Sequence, residues 1–479
     1  MKNIKKSNEL DVTVIGGGIG GLFAAWKLSQ HGYKTTIIER AKFLGGLSAS
    51  IKKNNCFIDI GPHYVTLDKT STIFDDIHLL LNKDSIIELS SIKKSYKSFF
   101  QNQILDTPPR LSNILKNNKN SFVRSLIKDV FQKTKNSTEQ NSSEEYLISL
   151  YGSDIYESYC KPILHQYYGE IPPVNIIKNS FEPITIKKTL NYLTKNQKVV
   201  ETDGFEPVDN GFVCYFKNGM GTIIDSLQDE ILNSGGKIIL DANVESIDHG
   251  KPKLITYTKN NEIFQESSDI ILYSVPLKNT IKWFKDTPDK LRQQSVPTKL
   301  RNGILVFLLV DISKLFDGWV LDIYDLSIPF FRITQQTFLS SGVAPKNKSL
   351  LCFEMRSNPN DDIWSFDDHY FFELAKNNLQ KIFQLENIQI DELEVLKLKN
   401  LYRRKYDPIK SFDKEIVKYI HSFSNEFALG TTVFDTGDNP SRVSSLEVAE
   451  TNKTKNYGGF YNSLTKSKEI IEKILLNNS

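Results

Sequence analysis

Ten residues near the amino terminus, VTVIGGGIGG from Val12 to Gly21, restrict what this chain can fold into more than any other stretch. Four apolar or β-branched residues run straight into a glycine cluster, and a helical pattern, Leu22 to Leu28, follows at once. Strand, turn and helix in that order, with the spacing Gly16-x-Gly18-x-x-Gly21, are the context in which glycines signal dinucleotide binding. The first glycine makes the turn, the second admits a pyrophosphate to bare backbone, and the third lets the helix lie close on the strand. Ile19 and Gly20 fill the positions between them, at the start of the helix whose amides and positive dipole end receive the phosphates. The next strand pattern, KTTIIE, ends at Glu39, about 20 residues on, where a carboxylate accepts ribose hydroxyls and repels a 2′-phosphate.

A chain of 479 residues can bury a large core and suits two or three domains. The net charge of +3, set against 60 basic and 57 acidic residues, gives no electrostatic case for nucleic acid. Cys56, Cys160, Cys214 and Cys352 are dispersed without C-x-x-C spacing, which argues against a disulfide framework or a zinc site and fits a reducing compartment. MKNIKKSNELD lacks the apolar stretch of a secretory signal, and the most apolar run, Ile304 to Val310, has the length of a strand rather than of a membrane span. A cytoplasmic location without a transmembrane segment is the expectation.

After Glu39 come Arg40 and then AKFLGGLSAS, with a second glycine pair at Gly45 and Gly46 followed by Leu47 and Ser48. Cys56 to Ile60 reads as a short strand that delivers Asp59-Ile60-Gly61-Pro62-His63. GGGIGG, ER, GG and D-x-G-P-H in this order resemble the FAD-binding front end of the flavin amine oxidase superfamily. That superfamily also holds protoporphyrinogen oxidases, phytoene desaturases and UDP-galactopyranose mutases. Later segments resemble it in the same order: YCKPILHQYYGEIP, the helix entry YFKNGMGTIIDSL, the strand pair KIILDANVESI and the strand DIILYSVP. Val244 matches a valine that contacts adenine through its backbone in relatives. Near the end, FALGTTVFDTGD offers Gly430 or Asp438 as a flavin anchor, one excluding the other. NYGGFYNS, with Gly459 and Phe460, resembles a closing turn whose helix faces the flavin.

The resemblance implies an α/β architecture: a Rossmann-type FAD-binding domain assembled from segments 1–70, 214–285 and 425–479, and a substrate domain, helical over 71–213 and sheet over 286–424. It implies noncovalent FAD, since no cysteine follows Cys352 to form a thioether. The activity it implies is oxidase, desaturase or dehydrogenase chemistry, removing hydride from a C–H or C–N centre of a small or polyisoprenoid substrate. Electrons then pass to an acceptor such as oxygen or a quinone. Two alternatives stay open. A nucleotide-sugar mutase is favoured by G-P-H and Arg332, but Gly430 is followed by Thr431 where mutases carry G-R. A non-enzymatic binding protein of the GDP dissociation inhibitor type is disfavoured by Glu39 and the Gly45-Gly46 pair.

Two residues are catalytic candidates. His63 matches a position that approaches the isoalloxazine in relatives, where it would donate a hydrogen bond, or else it caps a strand-to-helix turn. Alternation in FFRIT puts Arg332 on the face opposite Phe331 and Ile333, where it would meet a carboxylate or diphosphate of the substrate, or else it is simply exposed or forms an Arg-to-Glu strand pair. No metal site is expected.

Overall fold

After its first residue, Asp11–Ile15 (β1) is apolar or β-branched on both faces, as a strand covered on both sides must be, and it lies at the middle of a five-stranded sheet. The order runs Lys237–Ile239, Lys34–Ile38 (β2), β1, Ile270–Tyr273 and Glu426–Ala428, and every pair is parallel. Val12 pairs with Thr35 on one side and Ile270 on the other. Strand order reverses at β1, so a crevice opens beyond its carboxyl end, where Gly16 begins the turn. The computed structural model describes residues 10–61, 63–90, 92–106, 142–151, 153, 156–180, 210–293, 301–358, 360–402, 410–429 and 459–478.

Helix Ile19–Gln30 (α1) returns over the sheet with Leu22, Phe23, Ala25 and Trp26 buried, and the helices Gly221–Asn233 and Gly459–Asn478 share that face. On the other face, Ile15, Ile38, Ile271 and Tyr273 pack against an antiparallel sheet formed by residues 243–268 and against the helix Lys410–Ile420.

A seven-stranded sheet forms the second layer, in the order Ile390–Tyr402, Arg301–Val310, Ser349–Ser357, Arg332–Gln335, Val320–Ile323, Tyr96–Phe100 and Gln103–Asp106. Its second strand, RNGILVFLLV, is buried throughout. Ile304, Val306 and Leu308 meet the helix Asp368–Phe383, while Leu305, Phe307 and Leu309 join the core shared with α1. The strands Tyr96–Phe100 and Gln103–Asp106 come from the segment expected to be helical. YKSFF is a short aromatic run that suits a pleated, half-buried surface, and it pairs parallel with Val320–Ile323. Among the described residues, no helix is long and apolar enough to cross a membrane.

Candidate cofactor site

The three fingerprint glycines differ in what surrounds them. Gly16 has φ +104°, donates its amide to Ile38 O (2.9 Å), and would put a Cβ 2.5 Å from Ser274 O. At Gly21 a Cβ would stand 2.3 Å from Gly16 O, so α1 lies against the turn only because no side chain intervenes. Gly18 is the opposite case, since a Cβ there meets nothing within 4 Å. Gly18 is also the N-cap of α1, whose start has no side-chain cap and no acidic residue in its first turn. Its orphan amides and dipole end are therefore available to an anion over an open floor.

The second glycine pair closes that space. Gly45 donates its amide to Gly17 O (2.7 Å) and bridges Gly18, with φ +102° at Gly45 and +57° at Gly46. Two glycine-lined backbones thus face one another, with Ser48 buried and Leu47 half-buried behind them. Gly20 has a different place: a Cβ there would lie 3.2 Å from Ser467 Oγ, which donates to Gly20 O (2.9 Å). It serves the crossing of α1 with the helix Gly459–Asn478. Ile19 is buried in the core, and Phe460 is buried near the start of that second helix.

Glu39 follows β2, and each carboxylate oxygen accepts one backbone N–H, from Gly17 (Oε2, 2.7 Å) and from Ala41 (Oε1, 2.7 Å). Each oxygen keeps a further lone pair for a ribose hydroxyl. Ala242 donates to Glu39 O (3.0 Å), which sets Val244 two residues from the same point, while Arg40 is exposed. Glu39→Gln would turn an amide NH2 against one of these backbone donors. Charge-assisted hydrogen bonds are worth about 1.5–3 kcal/mol, so ADP affinity is expected to fall by roughly tenfold or more. Calorimetric titration of ADP checks this, and unchanged affinity would remove Glu39 from the site.

Beyond the doublet, the hairpin Ser50–Lys53 and Cys56–Asp59 leads to the turn at Gly61, where φ is +77° and the Cβ direction is open. His63 Nδ1 lies against Gly61 O. A carbonyl only accepts, so Nδ1 carries the hydrogen and Nε2 of the neutral ring is an acceptor. Burial holds the His63 ring below the ordinary imidazole value, so donation from Nε2 would require a protonated ring that this environment disfavours. Tyr64 follows, and it meets Trp319 edge-on at 5.6 Å, as does Tyr96 at 5.5 Å.

Asp59, at the root of this turn, is fully buried and accepts from Ser50 Oγ (2.5 Å), the Met220 amide (3.0 Å) and the Tyr215 hydroxyl. Burial pushes its carboxyl up from 3.8 to about 6, against the lowering effect of these three donors. The folded state therefore holds this proton more tightly than the unfolded chain. Its contribution is fullest below about pH 4 and is lost as pH rises to about 6, by on the order of 3 kcal/mol. Asp59→Asn carries no such titration. The stability difference between variant and wild type, from urea melts across this range, is expected to move in the variant's favour as pH rises.

Comparison with known proteins bears on this geometry. Residues 14–77 match the family described as NAD(P)-binding Rossmann-like domain. The phytoene desaturase of Fusarium fujikuroi is 35% identical over 101 residues, which is 21% of this chain and 17% of that protein. The 4,4'-diapolycopen-4-al dehydrogenase of Metabacillus indicus is 25% identical over 262 residues, half of each chain. The chain thus matches at most about half the length of these curated relatives. The structure of reduced UDP-galactopyranose mutase superposes with a TM-score of 0.70 at 16% identity, covering 98% of this chain and 96% of that one. The chain shares the fold of that structure, and its residues 14–77 form a Rossmann-like nucleotide-binding unit. It carries a site for a flavin or nucleotide cofactor.

The inward face of the seven-stranded sheet bears a charged layer. Arg332 Nε donates to Asp322 Oδ1 (3.1 Å), and its NH1 lies 3.9 Å from Glu354 Oε1. The acidic-partner reading is thus the one the strand register supplies, since Arg332 pairs with both Asp322 and Glu354 across the ladder. Gln166 donates to the same Asp322 oxygen (2.9 Å). Arg301, which the sequence reading passed over, reaches Glu170 (2.8 Å) and Tyr168 O (3.3 Å). Gly169 has φ +70° and would place a Cβ 1.8 Å from Arg301 NH1, which explains the glycine after the tyrosines. Tyr215 and Gln336 were also passed over, because their partners are remote in sequence, as was Ser50, which joins Asp59 to the Gly221 amide 171 positions on. Pro62, Gly430 and Asp438 lie outside the described residues, and Gly459 opens its helix.

Proposed function

We propose that this chain is an FAD-dependent oxidoreductase, an oxidase, desaturase or dehydrogenase that removes hydride from a C–H or C–N centre of a small or polyisoprenoid substrate. The observation that carries the reading is the open floor at Gly18 beside the Gly45–Gly46 wall, beyond the carboxyl end of β1 where the strand order reverses. A pyrophosphate fits over the open side of Gly18, beside the joined Gly45–Gly46 backbone, and Glu39 is placed for the adenosine ribose. FAD, when bound, supplies the hydride acceptor. The chain's own part is to bind, orient and exclude water. The Gly61–His63 turn leads toward the sheet layer, and Tyr64, Tyr96 and Trp319 build an aromatic wall beside it. The neutral His63 ring offers Nε2 as an acceptor there. Oxygen or a quinone then serves as acceptor of the electrons.

The phytoene desaturase and diapolycopenal dehydrogenase relatives support the polyisoprenoid end of the substrate range. The mutase alternative is weaker, because the arginine it relied on is engaged by Asp322 and Glu354. The test is direct: purified protein is denatured, and the released chromophore is identified by mass spectrometry. Intact FAD is expected. A colourless protein that takes ADP but cannot be loaded with FAD overturns the reading.

A further inference from the structure

Asp59 does more than its place in D-x-G-P-H announces. Its carboxylate is met from two remote segments, by the Tyr215 hydroxyl and by the Met220 amide, which opens the helix Gly221–Asn233. Its own amide donates to Gln336 Oε1 (3.2 Å) from the seven-stranded layer, and Gln336 Nε2 returns to Phe57 O (2.8 Å) and to the Tyr215 oxygen (3.0 Å). Ser50, its cross-strand neighbour, donates to it and accepts the Gly221 amide (2.6 Å). A Cβ at Gly219, where φ is +79°, would stand 2.5 Å from Asp59 Oδ1, so the chain keeps a glycine to admit the carboxylate.

Among the described residues, no lysine, arginine or histidine pairs with Asp59. Its charge is answered only by hydroxyls and by an amide at the positive end of a helix. Tyr215 is the one titratable group in contact with it, and burial first, then Asp59, pushes that hydroxyl well above its ordinary value, so it stays a donor. Holding an ionisable group fully buried is costly, and an apolar residue would serve mere packing better.

We infer that Asp59 is a positioning residue, which fixes the Gly61–His63 arm for the half of the dinucleotide that lies beyond the pyrophosphate; this rests on the cofactor reading above. Two arms leave the hairpin toward the site. The arm through Ala49 to Gly45 has its own anchor, because Gly45 is bonded to Gly17. The arm through Ile60 to His63 is tied to Ala49 by the Ile60 amide (3.1 Å) and is rooted in the Asp59 hub. Loosening the hub therefore frees the ring-side arm first.

The test compares two ligands on Asp59→Asn and Tyr215→Phe. ADP reaches only Glu39, the α1 amides and the doublet, whereas FAD also needs the ring-side arm. For Asp59→Asn, FAD affinity is expected to fall by roughly tenfold, which is 1.4 kcal/mol, with ADP affinity within about threefold of wild type. Tyr215→Phe removes one donor and is expected to give the same pattern, more weakly, should the first variant fail to fold. Equal loss for both ligands marks a purely structural residue and overturns the inference, as does unchanged FAD affinity. Wild-type protein that binds neither ligand would instead overturn the cofactor reading itself.

Discussion

Gly18→Val is expected to leave the protein folded and to empty its cofactor site. The backbone at Gly18, φ −71° and ψ 170°, is ordinary extended conformation, and a Cβ there meets nothing within 4 Å. Loss of glycine at an N-cap costs about 1 kcal/mol at most, so the thermal transition should move little. A branched side chain would nevertheless project into the open space over Gly18, where the pyrophosphate must lie. FAD affinity is expected to fall at least about 100-fold, equivalent to roughly 2.7 kcal/mol. Flavin fluorescence titration beside a melting curve reads both, and retention of stoichiometric FAD would mean that this floor is not the phosphate site.

Three residues on, the same kind of substitution is expected to do the reverse. Gly21→Ala gains up to about 1 kcal/mol of helix propensity. Its methyl, however, would stand 2.3 Å from Gly16 O and 2.9 Å from Ser274 Cβ, and the first of these is backbone held in a tight turn. Overpacking of this kind costs on the order of 1–3 kcal/mol, so the clash outweighs the propensity. The variant should be less stable in urea with or without ligand. A variant as stable as wild type would mean that α1 can slide along β1, and that the close approach is not needed.

The contrast between these glycines was legible in the sequence because short-range backbone geometry dictates it. A turn, an open approach and a close crossing fall at fixed offsets whatever the rest of the chain does. Gly20 shows the limit, since spacing alone could not tell a cradle residue from one at a helix crossing, and its neighbour is Ser467. Alternation set Arg332 opposite Ile333, which lies in the core with Phe330, but the Phe331 ring stands beside Arg332 (5.4 Å) and Arg356, and the partners of Arg332 depend on the register between Arg332–Gln335 and its neighbours. Asp59 was visible only as a letter in a motif. Apart from Ser50, nine positions before it, the residues that answer it stand 156, 161 and 277 positions away, beyond the reach of any local pattern. The strand Tyr96–Phe100 was missed because five residues carry too little periodicity to overrule helical surroundings.

The central claim is that the cofactor held at Gly18 takes hydride from a substrate. Anaerobic mixing of the oxidised, FAD-loaded protein with a polyprenyl substrate, followed in the visible flavin band, tests it most directly. The account predicts that the band bleaches in a single turnover and returns when oxygen or a quinone is admitted. An oxidised protein inert to polyprenyl and amine compounds, whose chemically reduced form rearranges a nucleotide sugar with no acceptor consumed, would contradict it.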